Sequence, residues 1–290
     1  MHGGYMQFVL ILLGVFLSHS IHATTSYETQ IHHVDLGQQM GDEALIFLSN
    51  GKVATLRSYD PELIQKFQTA KAFGSWLKVT LSDEQEVIDV EKARAPFKVT
   101  LGTAAVNKSL QTEYVPSVLP SMAVAKDFFF DTKYNDKDSQ CYMRAHVWAY
   151  DWRTKRDLYS SKVWLFFSRK YIRKHKFGWW FHIAPYVHVV DEGKVRERVM
   201  DRKYFPHRGP VKVKQWTDFF IQDKSDCPVV TKYSDHANYP ESGSCFLMKS
   251  SMYYYQPVDL EQMETKGVVR NNWIEAEVKQ AFFDAFDVTL

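Results

Sequence analysis

Cys141, His182 and Asp201 are three residues whose types could make a thiol nucleophile, its base and the group that orients the base. They lie 41 and 19 residues apart along the chain. A cysteine that attacks a carbonyl carbon needs a partner to take and return a proton, and that partner must be held in one orientation. Cys141 opens the block CYMRAH after the polar run NDKDSQ. Asp138, Ser139 or Gln140 is placed to cap a helix over about residues 141–152. That would set the thiol in the first helical turn, where the macrodipole favours negative charge. From this segment alone a buried, inert cysteine is the preferred alternative.

The base must come from elsewhere. His146 is nearest, but five residues carry it roughly 140° around the helix from Cys141, so it reads as a packed structural residue. His182 sits inside the apolar run GWWFHIAPYVHVV. On an alternating strand it shares a face with Trp180, Ala184, Tyr186 and His188, and a satisfied core histidine is the competing reading. Asp201 follows the strand-like KVRERVM, where a turn or capping role competes.

Around these residues the chain divides. Phe8 to Leu17 is an apolar run of signal-peptide length, and Ala23 offers a small residue for cleavage, so residues 1–23 are expected to be a secretory leader. The run falls short of the ~20 residues that a membrane span needs. Secretion implies an oxidising compartment, and three cysteines leave one over. Cys227 and Cys245 flank a Ser-, Asp- and Pro-rich loop that a disulfide would staple, worth about 3 kcal/mol in the chain-entropy model. Cys141 is then the free thiol.

Residues 24–114 read as a small α+β unit with its linker. Two strands surround the turn signal Asn50-Gly51. A helix capped by Asp60 with Pro61 in its first turn follows, presenting Leu63, Phe67 and Ala70, and a third strand comes after it. A linker is expected from about Glu91 to Pro120. The second unit, 115–290, begins with the helical PSMAVAKDFFFDTKY. Strand-like KVWLFFS, WWFHIAPYVHVV, KVRERVM and SCFLMKSSMYYY follow, and the chain closes on a helix in NNWIEAEVKQAFFDAFDV capped by Asn271 or Asn272.

The blocks CYMRAH, WWFHIA and RVMDRKYFPHRGPV, the last followed by Trp216, together resemble the protein-glutamine glutaminases, secreted cysteine enzymes that deamidate protein glutamine side chains. The likeness spans roughly residues 115–260 and reverses the preference for an inert Cys141. It implies an α+β fold: a transglutaminase- or papain-like core with a mostly antiparallel sheet and a nucleophile-bearing helix. It also implies Cys141 as nucleophile, His182 as acid and base, Asp201 as orienting group, and Trp179 as a contact for substrate. No metal or organic cofactor is required. The family is made as proenzymes, which casts 24–114 as a pro-domain awaiting an activating protease. Arg202 stands where the family usually has proline, and the family carries more cystines.

Three other functions remain in view. A transglutaminase uses the same triad, a cysteine peptidase the same nucleophile, and a basic binding module would explain SRKYIRKHKFGWW. Between Cys141 and Lys214 there are 18 basic and 6 acidic residues, whereas residues 1–112 hold 9 and 11. A face for acidic protein substrates accounts for that split as well as nucleic acid does. The net charge of +2 excludes a general polyanion binder. The expected partners are glutamine-containing proteins, not nucleic acid or membrane, and the expected state is a secreted monomer.

Overall fold

The computed structural model describes residues 23–37, 42–56, 60–95, 101–102, 117–135, 137–238, 243–267, 269–270 and 275–289. Residues 1–22 of the expected leader, and the expected caps Asn271 and Asn272, lie outside the described residues.

The first unit is a five-stranded antiparallel sheet with one helix. It comprises β1 (Thr24–Asp35), β2 (Ala44–Leu48), β3 (Val53–Leu56), α1 (Pro61–Phe73), β4 (Trp76–Ser82) and β5 (Val87–Lys92), in the order β3-β2-β1-β4-β5. Asn50 and Gly51 turn the β2–β3 hairpin, and Gly51 takes φ 92°, which a side chain would resist. Asp60 caps α1 through the N–H groups of Glu62 and Leu63, and Gly74 ends it in the left-handed region. The helix buries Ile64, Phe67 and Ala70. Leu63, expected on that face, is only half-buried, because one position of rotation brings Ile64 to the sheet instead.

The second unit is larger. After β6 (Leu101–Gly102) come β7 (Val118–Leu119), α2 (Met122–Asp131), α3 (Cys141–Arg156), β8 (Ser161–Phe167), α4 (Arg169–His175), β9 (Phe181–Asp191) and β10 (Lys194–Val199). The chain continues through α5 (Val213–Phe220), β11 (Val229–Val230), α6 (Tyr233–Asn238), β12 (Cys245–Ser251), α7 (Pro257–Lys266), β13 (Val269–Arg270) and α8 (Glu275–Phe286). Its sheet runs β10-β9-β8-β12-β11, with β7 beside β9. Neighbours are antiparallel except at β11–β12 and β7–β9. The expected linker is interrupted by structure, since β5 extends to Lys92 and β6 pairs with β13.

The nucleophile-bearing helix lies in the core. α3 packs between β9 and α8 and buries Ala145, Val147, Trp148 and Trp152. It runs a turn past the expected end, to Arg156, because no glycine or proline stops it until Asp157 adopts φ 51°. Cys227 and Cys245 form a disulfide with Cα atoms 4.9 Å apart, which ties β12 to the preceding loop. Cys141 is a free thiol, half-buried.

Candidate active site

Two elements present the candidate cysteine and histidine. Cys141 is the first residue of α3, and His182 stands on β9, against which α3 packs. Asp201 follows β10, the neighbour of β9, and a hydrogen bond from Met200 N to Pro185 O fixes that exit. The fold thus converts separations of 41 and 19 residues into one cluster.

His182 Nε2 and Asp201 Oδ2 are 2.7 Å apart, and the two side chains are 1% and 2% exposed. Trp216 Nε1 donates to the same carboxylate oxygen at 2.9 Å. With Nε2 committed to Asp201, Nδ1 is the ring nitrogen left for the hydrogen bond with Cys141. Burial would depress the imidazole, but the charge and hydrogen bond of Asp201, with a further contribution from Cys141, lift it to about 9. The ring is enclosed by aromatics. Phe220, Tyr204, Trp216 and Trp179 have ring centroids 4.4, 5.1, 5.5 and 5.9 Å from it.

The start of α3 departs from expectation. No side chain caps it, whether Asp138, Ser139 or Gln140. Arg144 instead donates back to Ser139, to its carbonyl and at 3.0 Å to its hydroxyl. That contact fixes the loop before Cys141 and leaves the first N–H groups of the helix without a side-chain acceptor. His146 is fully buried, with Nδ1 3.0 Å from Lys162 Nζ, and plays the structural part expected of it.

Trp180 is the clearest correction. Alternation assigned it to the face of His182, yet it stacks on Phe166 and His32 and donates through Nε1 to Leu48 O at 2.8 Å. The regular strand starts only at Phe181, because residues 178–180 pair with the N-terminal hairpin: Val53 N donates to Gly178 O and Trp180 N to Gly51 O. Trp179 is thereby turned toward His182.

Cys141, His182, Trp179 and Tyr204 line one cavity of about 40 Å³, together with Arg144, Phe181 and residues 138–140. Tyr27, Asn50, Gly51 and Lys52 of the first unit close it. Such a space holds little more than water. Lys52 Nζ sits 5.5 Å from the centre of the Trp179 ring. Tyr204 is not singled out in sequence, although it lies inside the block RVMDRKYFPHRGPV, and the Asn50-Gly51 turn reads there as a turn but not as the segment at the cleft. Arg202, at the position of the family's usual proline, donates to Phe130 O and Thr132 O and so ties the loop after Asp201 to the end of α2.

A free cysteine at a helix start, beside a histidine–aspartate pair on a mostly antiparallel sheet, makes a candidate thiol-nucleophile site on a mixed α+β core. A family model described as Glutaminase matches residues 121–220, which hold all three residues. A crystal structure of pro-protein-glutaminase is similar over 91% of this chain and 94% of that chain, at 16% identity and a TM-score of 0.49. A mutant of pro-protein-glutaminase reaches 0.51 at the same identity and coverage, so the chain has that fold. Protein-glutaminase from Chryseobacterium proteolyticum, solved by NMR, aligns with 49% of this chain and 77% of its own at 17% identity and a TM-score of 0.34. No curated protein matches.

Proposed function

We propose that the protein is a secreted protein deamidase, made as a proenzyme, that hydrolyses the side-chain amide of protein-bound glutamine. What supports the reading above all is that Cys141 and His182 line one cavity while Asp201 is bonded to the imidazole. Cys141 Sγ, its proton passed to His182, attacks the glutamine δ-carbon. The oxyanion is met by N–H groups at the uncapped start of α3, that of Cys141 first. His182 then protonates the amide nitrogen, the C–N bond breaks, and ammonia leaves a thioester behind. Water enters, gives a proton to His182 and its oxygen to the acyl carbon, and the sulfur departs with that proton as glutamate is released. Asp201 holds the ring and stabilises its positive charge. These steps need no metal and no organic cofactor.

Residues 24–114 act as the pro-domain, because Asn50 to Lys52 fill the space that a substrate side chain must enter. The Cys227–Cys245 disulfide suits an oxidising compartment. Ammonia release from a glutamine-rich protein tests the reading, using the intact chain, the chain nicked with trypsin, and nicked Cys141→Ala. Release by the nicked wild type alone supports it; equal release by all three, or none by any, rejects it.

A further inference from the structure

Next to the active-site cavity lies a second one, of about 470 Å³, whose walls differ in charge. Its acidic wall is Glu43, Asp83, Glu84 and Glu86, all from the first unit, and its basic wall is Arg173 and Lys176 from α4 and the turn after it. Direct contacts cross between them. Lys176 Nζ lies 2.7 Å from Glu43 Oε2, and Arg173 donates to Glu43 O at 2.8 Å and to Asp35 Oδ2 at 2.7 Å. Arg169 reaches the same Asp35 at 3.4 Å. The cations therefore already bind acidic protein side chains. Gly178 continues this wall, and Trp179, the next residue, lines the cavity of Cys141. A chain bound at Cys141 and passing over Trp179 comes directly onto Lys176 and Arg173.

We propose that the surface from Arg169 to Gly178 is a docking site for acidic segments beside the reactive glutamine of a protein substrate, occupied in the intact chain by carboxylates of the first unit. The inference rests on the deamidase reading and adds the substrate class. The two roles share one chemistry: the ion pairs that hold the first unit in place are those that the substrate makes once that unit is displaced. Each pair is partly exposed, so each adds little alone and weakens with salt, while two or three together discriminate.

The experiment uses the full chain nicked at a protease site inserted between residues 103 and 116. Ammonia release is followed with two peptides of equal length, one with aspartates flanking a glutamine and one with serines. The nicked wild type is expected to favour the acidic peptide about tenfold in kcat/KM at low salt, and much less at high salt. Arg173→Glu with Lys176→Glu is expected to abolish or invert that ratio, and Arg173→Gln with Lys176→Gln to bring it near one. A melting temperature for each variant shows that it is folded. Equal rates on both peptides in the wild type, or a preference that survives both double variants, overturn the docking site while leaving the deamidase reading intact. No ammonia from either peptide, with Cys141 verified as reduced, overturns both. Salt-sensitive retention on heparin without any peptide preference overturns it in favour of a polyanion surface.

Discussion

Asp201 Oδ2 lies 2.7 Å from His182 Nε2, with both side chains shut away from solvent. The imidazole is thereby aimed at Cys141 through its other nitrogen and kept charged at neutral pH. Asp201→Asn preserves the shape but removes the charge and allows the wrong tautomer. It is expected to lower kcat by about 100- to 10,000-fold, with KM little changed. Steady-state ammonia release checks this, and a loss confined to KM would assign Asp201 to binding.

The raised His182 also fixes a pH limit. Its pKa in the folded chain, about 9, exceeds the ordinary histidine value, so the stability that it contributes is complete below about pH 6.5 and is lost as pH rises through 9. In the proposed mechanism, the imidazolium that protonates the leaving amide nitrogen is lost over the same interval. Activity of the nicked chain is therefore expected to fall through about pH 9, and Asp201→Asn to move that limb toward lower pH.

At the N-terminal hairpin, Gly51 holds φ 92° and a Cβ there would stand 3.2 Å from the Phe181 ring. Gly51→Val is expected to weaken the seating of the hairpin by about 1–3 kcal/mol. The intact chain would then leak activity, roughly tenfold or more above the wild type. Hydrogen exchange at Val53 and Trp180, whose amides bond across the two units, would rise with it.

Acid acts on a different part of the same interface. His32 stacks on Trp180 and lies 2.6 Å from Tyr233 Oη, and burial, reinforced by Lys71, His236 and His33, pushes it down to about 3. His236 packs on Phe166, and burial, with Arg169 and His33 adding, holds it near 4. Both values lie below the unfolded histidine's, so the unfolded chain takes up more protons and stability declines as pH falls from about 6.5 toward 3. The slope is at most about 1.4 kcal/mol per pH unit for each ring. Thermal unfolding between pH 7 and 4 should show this slope, and His236→Phe, which keeps ring packing but cannot take a proton, should flatten it. An unchanged slope would place the acid sensitivity elsewhere.

Reduction should separate the two kinds of cysteine. Cys227→Ser with Cys245→Ser opens the loop closed across 18 residues and is expected to cost about 3 kcal/mol, lowering the melting temperature while the active thiol remains titratable.

Local signals were the most legible in sequence. The Asn50-Gly51 turn, the Asp60 cap and the first turn at Cys141 each depend on neighbours a few residues away, and each stands where expected. His182 and Asp201 each have a competing structural reading when taken alone, and only the resemblance of their blocks singles them out; the structure pairs the two at 2.7 Å. Alternation failed at Trp180, since β9 is buried on both faces and its approach is set by pairing with Gly51 and Val53, more than a hundred residues away. The cap failed because Arg144 took the loop that would have supplied it. The first outcome is set by residues far along the chain, the second by a neighbour five residues on whose reach sequence pattern does not reveal.

Side-chain amide hydrolysis by Cys141 is tested most directly by incubating nicked chain with a glutamine peptide in ¹⁸O-water and weighing the product. The expected product has an intact backbone, one glutamine converted to glutamate carrying a single ¹⁸O and one ammonia per conversion, with no conversion by Cys141→Ala. Backbone cleavage, or conversion that persists in Cys141→Ala, would contradict it.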